Sequence, residues 1–369
     1  MLSELLGKTS VFEQSVAVFG ESGSGKTTLL SVFYGHQQSA DFKKRAGYSL
    51  LAQDTTQGQK LLQTYHQIED DLLPPQSRFR QHQFTFSIRP HGLNSDAGHI
   101  TWHDYPGEWW TETRTGEEGE RKTDAFRDLL SSDLALFLVD GQQLREHPDR
   151  YIPRLFKSFR DELDRVGAAV TEAGKKLSSF PRVWMVCLSK ADLFPDKDVE
   201  WFRKEVLKQA CDEIKMLRDQ IASLVTKPEC VTLGEEFLLL SSAKFDPSTG
   251  KISDPKQTIG IDLLSPLAVT LPLRWAKAWT NAEKGAKSVA AVMAEGLRGA
   301  TLAWMKWLPF VGRFFQLLDE QAQGGVAKLR EIQKNAVEKG DAVEAALAGL
   351  QAHLSSPGVE RVYASNARK

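Results

Sequence analysis

Six short apolar or alternating runs punctuate the chain, at about residues 15–19, 83–89, 99–104, 134–140, 183–188 and 236–241. Leu134-Ala135-Leu136-Phe137-Leu138-Val139 contains no polar residue, the pattern of a strand covered on both faces. Gln83-Phe84-Thr85-Phe86-Ser87-Ile88 alternates strictly, which predicts a half-buried strand and makes it the candidate antiparallel edge. Between the runs the period lengthens to about 3.6. Over residues 197–224, Trp201, Val206, Leu207, Ala210, Ile214, Leu217 and Ile221 fall on one face, and residues 149–174 are helical in pattern too. Strand alternating with helix predicts an α/β fold, a doubly wound and mostly parallel sheet.

The first run turns directly into chemistry. Gly20-Glu21-Ser22-Gly23-Ser24-Gly25-Lys26-Thr27 has the spacing G-x-x-x-x-G-K-[ST], and helix-forming Thr28-Leu29-Leu30-Ser31 follows. Successive backbone N–H groups of such a turn make a concave anion nest, and the helix N-terminus behind them adds partial positive charge. Lys26 then supplies a point charge to β- and γ-phosphates, and the Thr27 hydroxyl is a ligand for Mg²⁺. A nucleoside triphosphate is the expected ligand.

Three further segments each follow a strand run. His99 to Asp104 ends in Asp104-Tyr105-Pro106-Gly107, where a carboxylate can hold Mg²⁺ and a glycine leaves its N–H free for a γ-phosphate. Val183 to Leu188 is followed by Ser189-Lys190-Ala191-Asp192. A carboxylate at 192 can accept from both the N1–H and the 2-amino group of guanine, donors that adenine lacks. Phe237 to Ser241 is followed by Ser242-Ala243-Lys244, which resembles the S-A-K loop whose alanine N–H meets guanine O6. Each is weak alone; all lie at strand C-termini, where an open α/β sheet binds its ligands. In this order the four motifs resemble those of a Ras-like P-loop GTPase, over roughly residues 14–280, with serine in the first place of the N-K-x-D motif. The resemblance implies GTP/GDP and Mg²⁺ as ligands. It implies phosphate contacts at Gly20, Glu21, Ser22, Gly23, Ser24, Gly25, Lys26, Thr27, Thr28 and Gly107, metal contacts at Thr27 and Asp104, and base contacts at Ser189, Lys190, Asp192, Ser242, Ala243 and Lys244. An ATP-binding motor or kinase whose later motifs match by accident is the competing class.

Two departures bear on turnover. The position after Gly107 is Glu108, where Ras-like enzymes usually carry a glutamine that orients water. A glutamate beside an anionic γ-phosphate predicts slow hydrolysis, or a scaffold that binds GTP without turning it over. The first-switch hydroxyl has no clean match: Ser77 is the nearest candidate metal ligand, with Thr55 and Thr56 as rivals. Residues 39–82 form an insertion for this class, with a helical pattern from Gln57 to Asp71. Trp109 and Trp110, in the expected second switch, are candidate partner anchors.

After Asp262 the composition shifts. Leu302 to Leu318 is the most apolar stretch, but Lys306, Pro309 and Arg313 interrupt it, so it is too broken to span a membrane. It is either a peripheral, interfacial helix or, as favoured here, a hairpin turned at Pro309–Gly312 and packed on the domain or a partner. The expected organisation is a lead at 1–13, the GTPase domain at 14–280, a helical extension at 281–355 with a thin apolar seam, and a disordered tail at 356–369. Net charge is −1, which leaves no electrostatic footprint for nucleic acid. The three cysteines are scattered and match no zinc or redox spacing. A cytoplasmic switch with protein partners is the resulting expectation.

Overall fold

The computed structural model describes residues 11–70, 83–104, 116–171, 176–177, 183–226, 228, 231–246, 249, 251–282 and 308–365. Its frame is an eight-stranded sheet of β1 (Phe12–Phe19), β2 (Tyr48–Ala52), β3 (Gln83–Pro90), β4 (Gly98–Asp104), β5 (Leu134–Asp140), β6 (Val183–Ser189), β7 (Glu236–Leu239) and β10 (Tyr363–Ser365), in the order β10-β7-β6-β5-β1-β4-β3-β2. The five central strands β4, β1, β5, β6 and β7 run parallel; β3 and β10 run against them, and β2, antiparallel to β3, runs with them again. Two-residue β8 (Lys244–Phe245) pairs with β9 (Ile252–Asp254) outside the sheet.

The pleat divides the core. Val16, Val18, Leu134, Leu136, Leu138, Met185 and Cys187 point to one face, and Ala17, Phe19, Ala135, Phe137, Val139, Trp184 and Val186 to the other. Both faces are covered by helices, which is why β5 and β6 are buried at every position. On the second face lie α4 (Glu117–Ser131), α6 (Tyr151–Val170) and α7 (Val199–Leu224). In α7, Val199, Phe202, Val206, Ala210, Ile214, Leu217 and Ile221 are buried, with a kink at Ala210. The last five match the expected stripe, while Trp201 and Leu207 are only half-buried and Val199 and Phe202 take their places. Short α5 (Gly141–Glu146) joins β5 to α6.

The first face holds α1 (Lys26–His36), α2 (Ala40–Ala46), α3 (Thr55–Glu69) and α8 (Leu264–Ala282), together with α9 (Leu308–Lys339) and α10 (Ala342–Leu354). Here four expectations are corrected. The edge on this side is β2, inside the insertion, while β3 is the antiparallel strand but lies one place in, between β2 and β4. Pro309–Gly312 lies in the first turn of α9; the hairpin turns at Gly340, whose φ of 74° suits glycine, and Asp341, which caps α10 by accepting from Glu344 N at 3.1 Å. The seam at 343–350 belongs to a helix buried all round, with only Glu344 outside the buried set, as an alanine-rich helix between two layers must be. Phe310, Phe314 and Leu317 are spent on this core and are unavailable to a membrane surface; each contributes about 1.5–3 kcal/mol by burial. Trp304 and Trp307 lie outside the described residues. No helix among the described residues is long and apolar enough to cross a membrane.

The fourth correction concerns the tail. Residues 359–365 form α11 (Val359–Val362) and β10, which completes the sheet beside β7. Fully buried Glu236 clamps it, accepting from Tyr363 Oη at 2.6 Å, Ser365 Oγ at 2.8 Å and Trp275 Nε1 at 3.0 Å. The nucleotide domain and the C-terminal helices therefore share one sheet and one core.

On α10, His353 is buried near Asp262, Arg45 and Arg330. Burial pushes its pKa down, the two arginines add to that, and Asp262 opposes it. A histidine whose folded value lies below its unfolded value of about 6.5 binds its proton more readily once unfolded. Stability is intact above about pH 6.5 and is lost as pH falls below that toward the lowered folded value. The melting temperature is expected to drop between about pH 7 and about pH 5, and His353→Gln to flatten that drop. A slope identical in wild type and variant would remove His353 as its source.

Candidate nucleotide site

The loop Gly20–Gly25 leaves β1 at its C-terminal end and enters α1. Gly23 and Gly25 have φ of 84° and 87°, a left-handed conformation that turns successive amides toward one concavity. Gly20 is closely packed: a Cβ there would run into Ser24 Oγ and press on Leu138 Cβ. Lys26 is 7% exposed, and its Nζ donates to Gly20 O at 2.7 Å and Glu21 O at 3.0 Å. The ammonium is thus held over the loop by its own backbone. Parallel pairing sets Val18 beside Asp104, and Thr27 Oγ1 donates to Asp104 Oδ2 at 3.2 Å.

The base-reading side is built at the ends of β6 and β7. Lys190, the single non-glycine residue with positive φ among those described, adopts φ 54°. That strained turn starts a 3₁₀ turn carrying Asp192. Lys190 Nζ pairs with Asp140 Oδ2 at 2.8 Å, while Asp140 Oδ1 caps α5 by accepting from Gln142 N at 2.8 Å. Asp192 accepts from Ser241 Oγ at 2.6 Å and Phe245 N at 3.0 Å. The serine that holds the carboxylate is Ser241, which stands just before the S-A-K tripeptide and was not among the expected site residues. Ser189 donates to Val139 O at 3.3 Å, a reach confined to the neighbouring strand. Gly141 packs so closely there that a Cβ would lie 2.6 Å from Ser189 O.

These two halves open into one cavity of about 580 Å³. Of the expected residues, Gly23, Ser24, Gly25, Thr28, Ser189, Lys190, Asp192 and Ser242 line it. Lys26 and Thr27 stand behind the loop, Ala243 is buried in the core, and Ser22 is exposed. Lys244 lies in β8 outside the lining set, its carbonyl taken by Ser253 Oγ. The Glu21 side chain bonds the Tyr151 hydroxyl, whose pKa burial drives up. Gly107, Glu108 and Ser77 lie outside the described residues. Leu138, Gln142, Arg145, Glu146, Ser241, Phe245 and Asp246 are among the further lining residues and were missed. Nothing local marks Ser241 or the α5 residues.

The residues fit a Mg²⁺–phosphate group. Ser24 Oγ is buried beneath the loop with no hydrogen-bond partner among the described residues, and a hydroxyl and a carboxylate stand together at Thr27 and Asp104. Oxygen ligands from one hydroxyl and one carboxylate, completed by phosphates and water, are what this cation uses.

A family model for Double-GTPase 2 matches residues 14–228. The chain belongs to the Double-GTPase 2 family. Its nucleotide unit is a P-loop GTPase domain, and the parallel sheet with flanking helices is the fold of that class. No curated protein matches the chain significantly. Among solved structures, the FeoB G-domain from Methanococcus jannaschii is 12% identical over 71% of this chain and 98% of that one, with a TM-score of 0.31. The SRb-GTP/SRX complex of the signal recognition particle receptor from Chaetomium thermophilum gives 13%, 63%, 93% and 0.32. The Ski7 GTPase-like domain of S. cerevisiae, bound to GTP, gives 13%, 65%, 45% and 0.33, so less than half of that chain is spanned. The family match alone therefore carries the assignment of this Double-GTPase 2 protein.

Proposed function

We propose that this Double-GTPase 2 protein is a GTP-binding switch that hydrolyses GTP slowly and reports its nucleotide state to a protein partner. One observation carries the reading: Asp192 lines the same cavity as Gly23, Ser24 and Gly25, so a single nucleotide can put its base on one and its phosphates on the other. Lys26 neutralises phosphate charge, and Ser24 and the loop amides donate to phosphate oxygens. Asp192 selects guanine through its N1–H and 2-amino donors, with Ser241 and Phe245 N–H keeping the carboxylate oriented. Mg²⁺ held by Thr27 and Asp104 would supply Lewis-acid stabilisation of developing phosphate charge.

Slow turnover follows from Glu108, whose carboxylate repels the γ-phosphate where a glutamine would orient water. The partner is engaged through the second switch, with Trp109 and Trp110 as anchors, and through the polar outer face of α9. Titration with fluorescent GTP and ATP analogues, followed by single turnover of wild type and Glu108→Gln, tests the reading. GTP is expected to bind at least tenfold more tightly than ATP, which costs about 1.4 kcal/mol of discrimination, and Glu108→Gln to hydrolyse faster. Tighter ATP binding rejects the guanine reading. Equal rates in the two proteins remove Glu108 from the mechanism, and no turnover with any partner leaves the GTP-binding scaffold.

A further inference from the structure

The nucleotide cavity has more negative than positive side chains available to it. Lys26 donates to two loop carbonyls, and Lys190 is already neutralised by Asp140 at 2.8 Å. Asp192, Glu146 and Asp246 line the same space. A nucleoside diphosphate brings several further negative charges, which one lysine, an amide nest and the Mg²⁺ that Thr27 and Asp104 would hold must balance. Arg145 is the remaining cation of the lining. It has no ion-pair or hydrogen-bond partner among the described residues; adjacent Glu146, which as an i,i+1 neighbour on a helix does not face it, accepts from Gln142 Nε2 at 3.1 Å.

The placement of Arg145 is fixed by the fold. α5 is short, capped by Asp140, pinned by buried Leu144, and pressed against Ser189 O and Lys190 O through Gly141. The backbone that carries Arg145 is therefore tied to the base-reading turn, while its guanidinium is exposed and unspent. A planar guanidinium offers paired donors to phosphate oxygens and keeps its charge at any working pH.

Resting on the nucleotide reading above, we propose that Arg145 is a second cationic contact for the phosphates of the bound guanine nucleotide, supplied by α5 to the cavity that the glycine-rich loop opens into. It binds the ground state of both GDP and GTP; it is a binding residue with no assigned role in bond cleavage.

The test compares the Kd of GDP and of guanosine for wild type, Arg145→Ala, Arg145→Lys and Arg145→Glu at low and high salt. Arg154→Ala, an exposed arginine of α6 outside the cavity lining, controls for general field effects. Arg145→Ala is expected to weaken GDP about fivefold to tenfold at low salt, allowing for exposure of the contact. Arg145→Glu should weaken it further, Arg145→Lys should recover part of the loss, and all three effects should shrink as salt screens them. Guanosine, which lacks phosphates, should bind all four proteins alike. The proposal is overturned if GDP affinity is unchanged, if Arg154→Ala reproduces the loss, or if guanosine loses as much as GDP, which would put Arg145 on the base. Lys26→Ala measured alongside separates the two failures: a Lys26→Ala protein that still binds GDP at wild-type affinity sinks the nucleotide reading itself, whatever Arg145 does.

Discussion

Lys26→Ala is expected to raise the Kd of GTP and GDP by about 100-fold or more. The estimate comes from one charge-assisted bond to a phosphate oxygen through the third ammonium N–H, at about 1.5–3 kcal/mol, together with the loop distortion that follows when two carbonyls lose their donor, at about 1.4 kcal/mol per tenfold. The ammonium is already poised: Nζ sits 2.7 Å from Gly20 O and 3.0 Å from Glu21 O and is almost wholly buried. Little side-chain entropy is left to lose on binding, so most of the electrostatic gain reaches the affinity. Alanine also deprives two loop carbonyls of their donor, and the loop conformation relaxes with them. Calorimetric titration reads the binding loss, and a melting curve shows whether the fold survives. Retained nanomolar-scale binding in a folded Lys26→Ala protein would exclude the glycine-rich loop as the phosphate site. Arginine is not a substitute here, since its planar fork cannot occupy a pocket shaped for a point charge.

The second large effect is a change of base preference in Asp192→Asn. Guanine offers two donors to a carboxylate, and an amide can accept only one of them while presenting its own NH₂ to the other. Loss of one charge-assisted bond and creation of a donor–donor clash together predict a GTP affinity about 100-fold weaker. Xanthine carries a carbonyl where guanine has its 2-amino group, so the same variant is expected to bind a xanthine nucleotide better than wild type does. The fold should tolerate the change: asparagine keeps one oxygen, enough for either the Ser241 hydroxyl or the Phe245 N–H that now hold the carboxylate. Competition titrations with GTP, XTP and ATP against wild type and variant measure it. Unaltered guanine preference would mean that Asp192 only braces the loop.

The glycine-rich loop, the buried strands and the amphipathic α7 are local statements. Each follows from residue types within a dozen positions, through turn conformation, pleat alternation or helical period, and each stands in the fold where its pattern indicated. Asp104 and Asp192 were legible for the same reason, since a strand exit is visible in hydropathy and the chemistry of the next few residues can be weighed. Other features are pairings across the chain. Ser241 carries no local mark that it, rather than Ser242, would meet Asp192; register at the end of β7 decides that. Gln142 and Arg145 enter the nucleotide cavity because Gly141 lets α5 press on the β6 exit, a contact between segments about fifty residues apart.

The C-terminal region shows the division most clearly. Its residues alone indicated that 319–355 would be helical and that the apolar seam was too thin to stand by itself. What covered the seam was decided by the sheet, which accepted α9 and α10 on one face and made α10 a buried helix. The tail's polarity predicted disorder, yet Tyr363 and Ser365 reach a carboxylate 127 and 129 positions away. A short segment can add a strand when an open sheet edge offers backbone partners and a buried Glu236 needs donors, and neither condition is written in the segment itself.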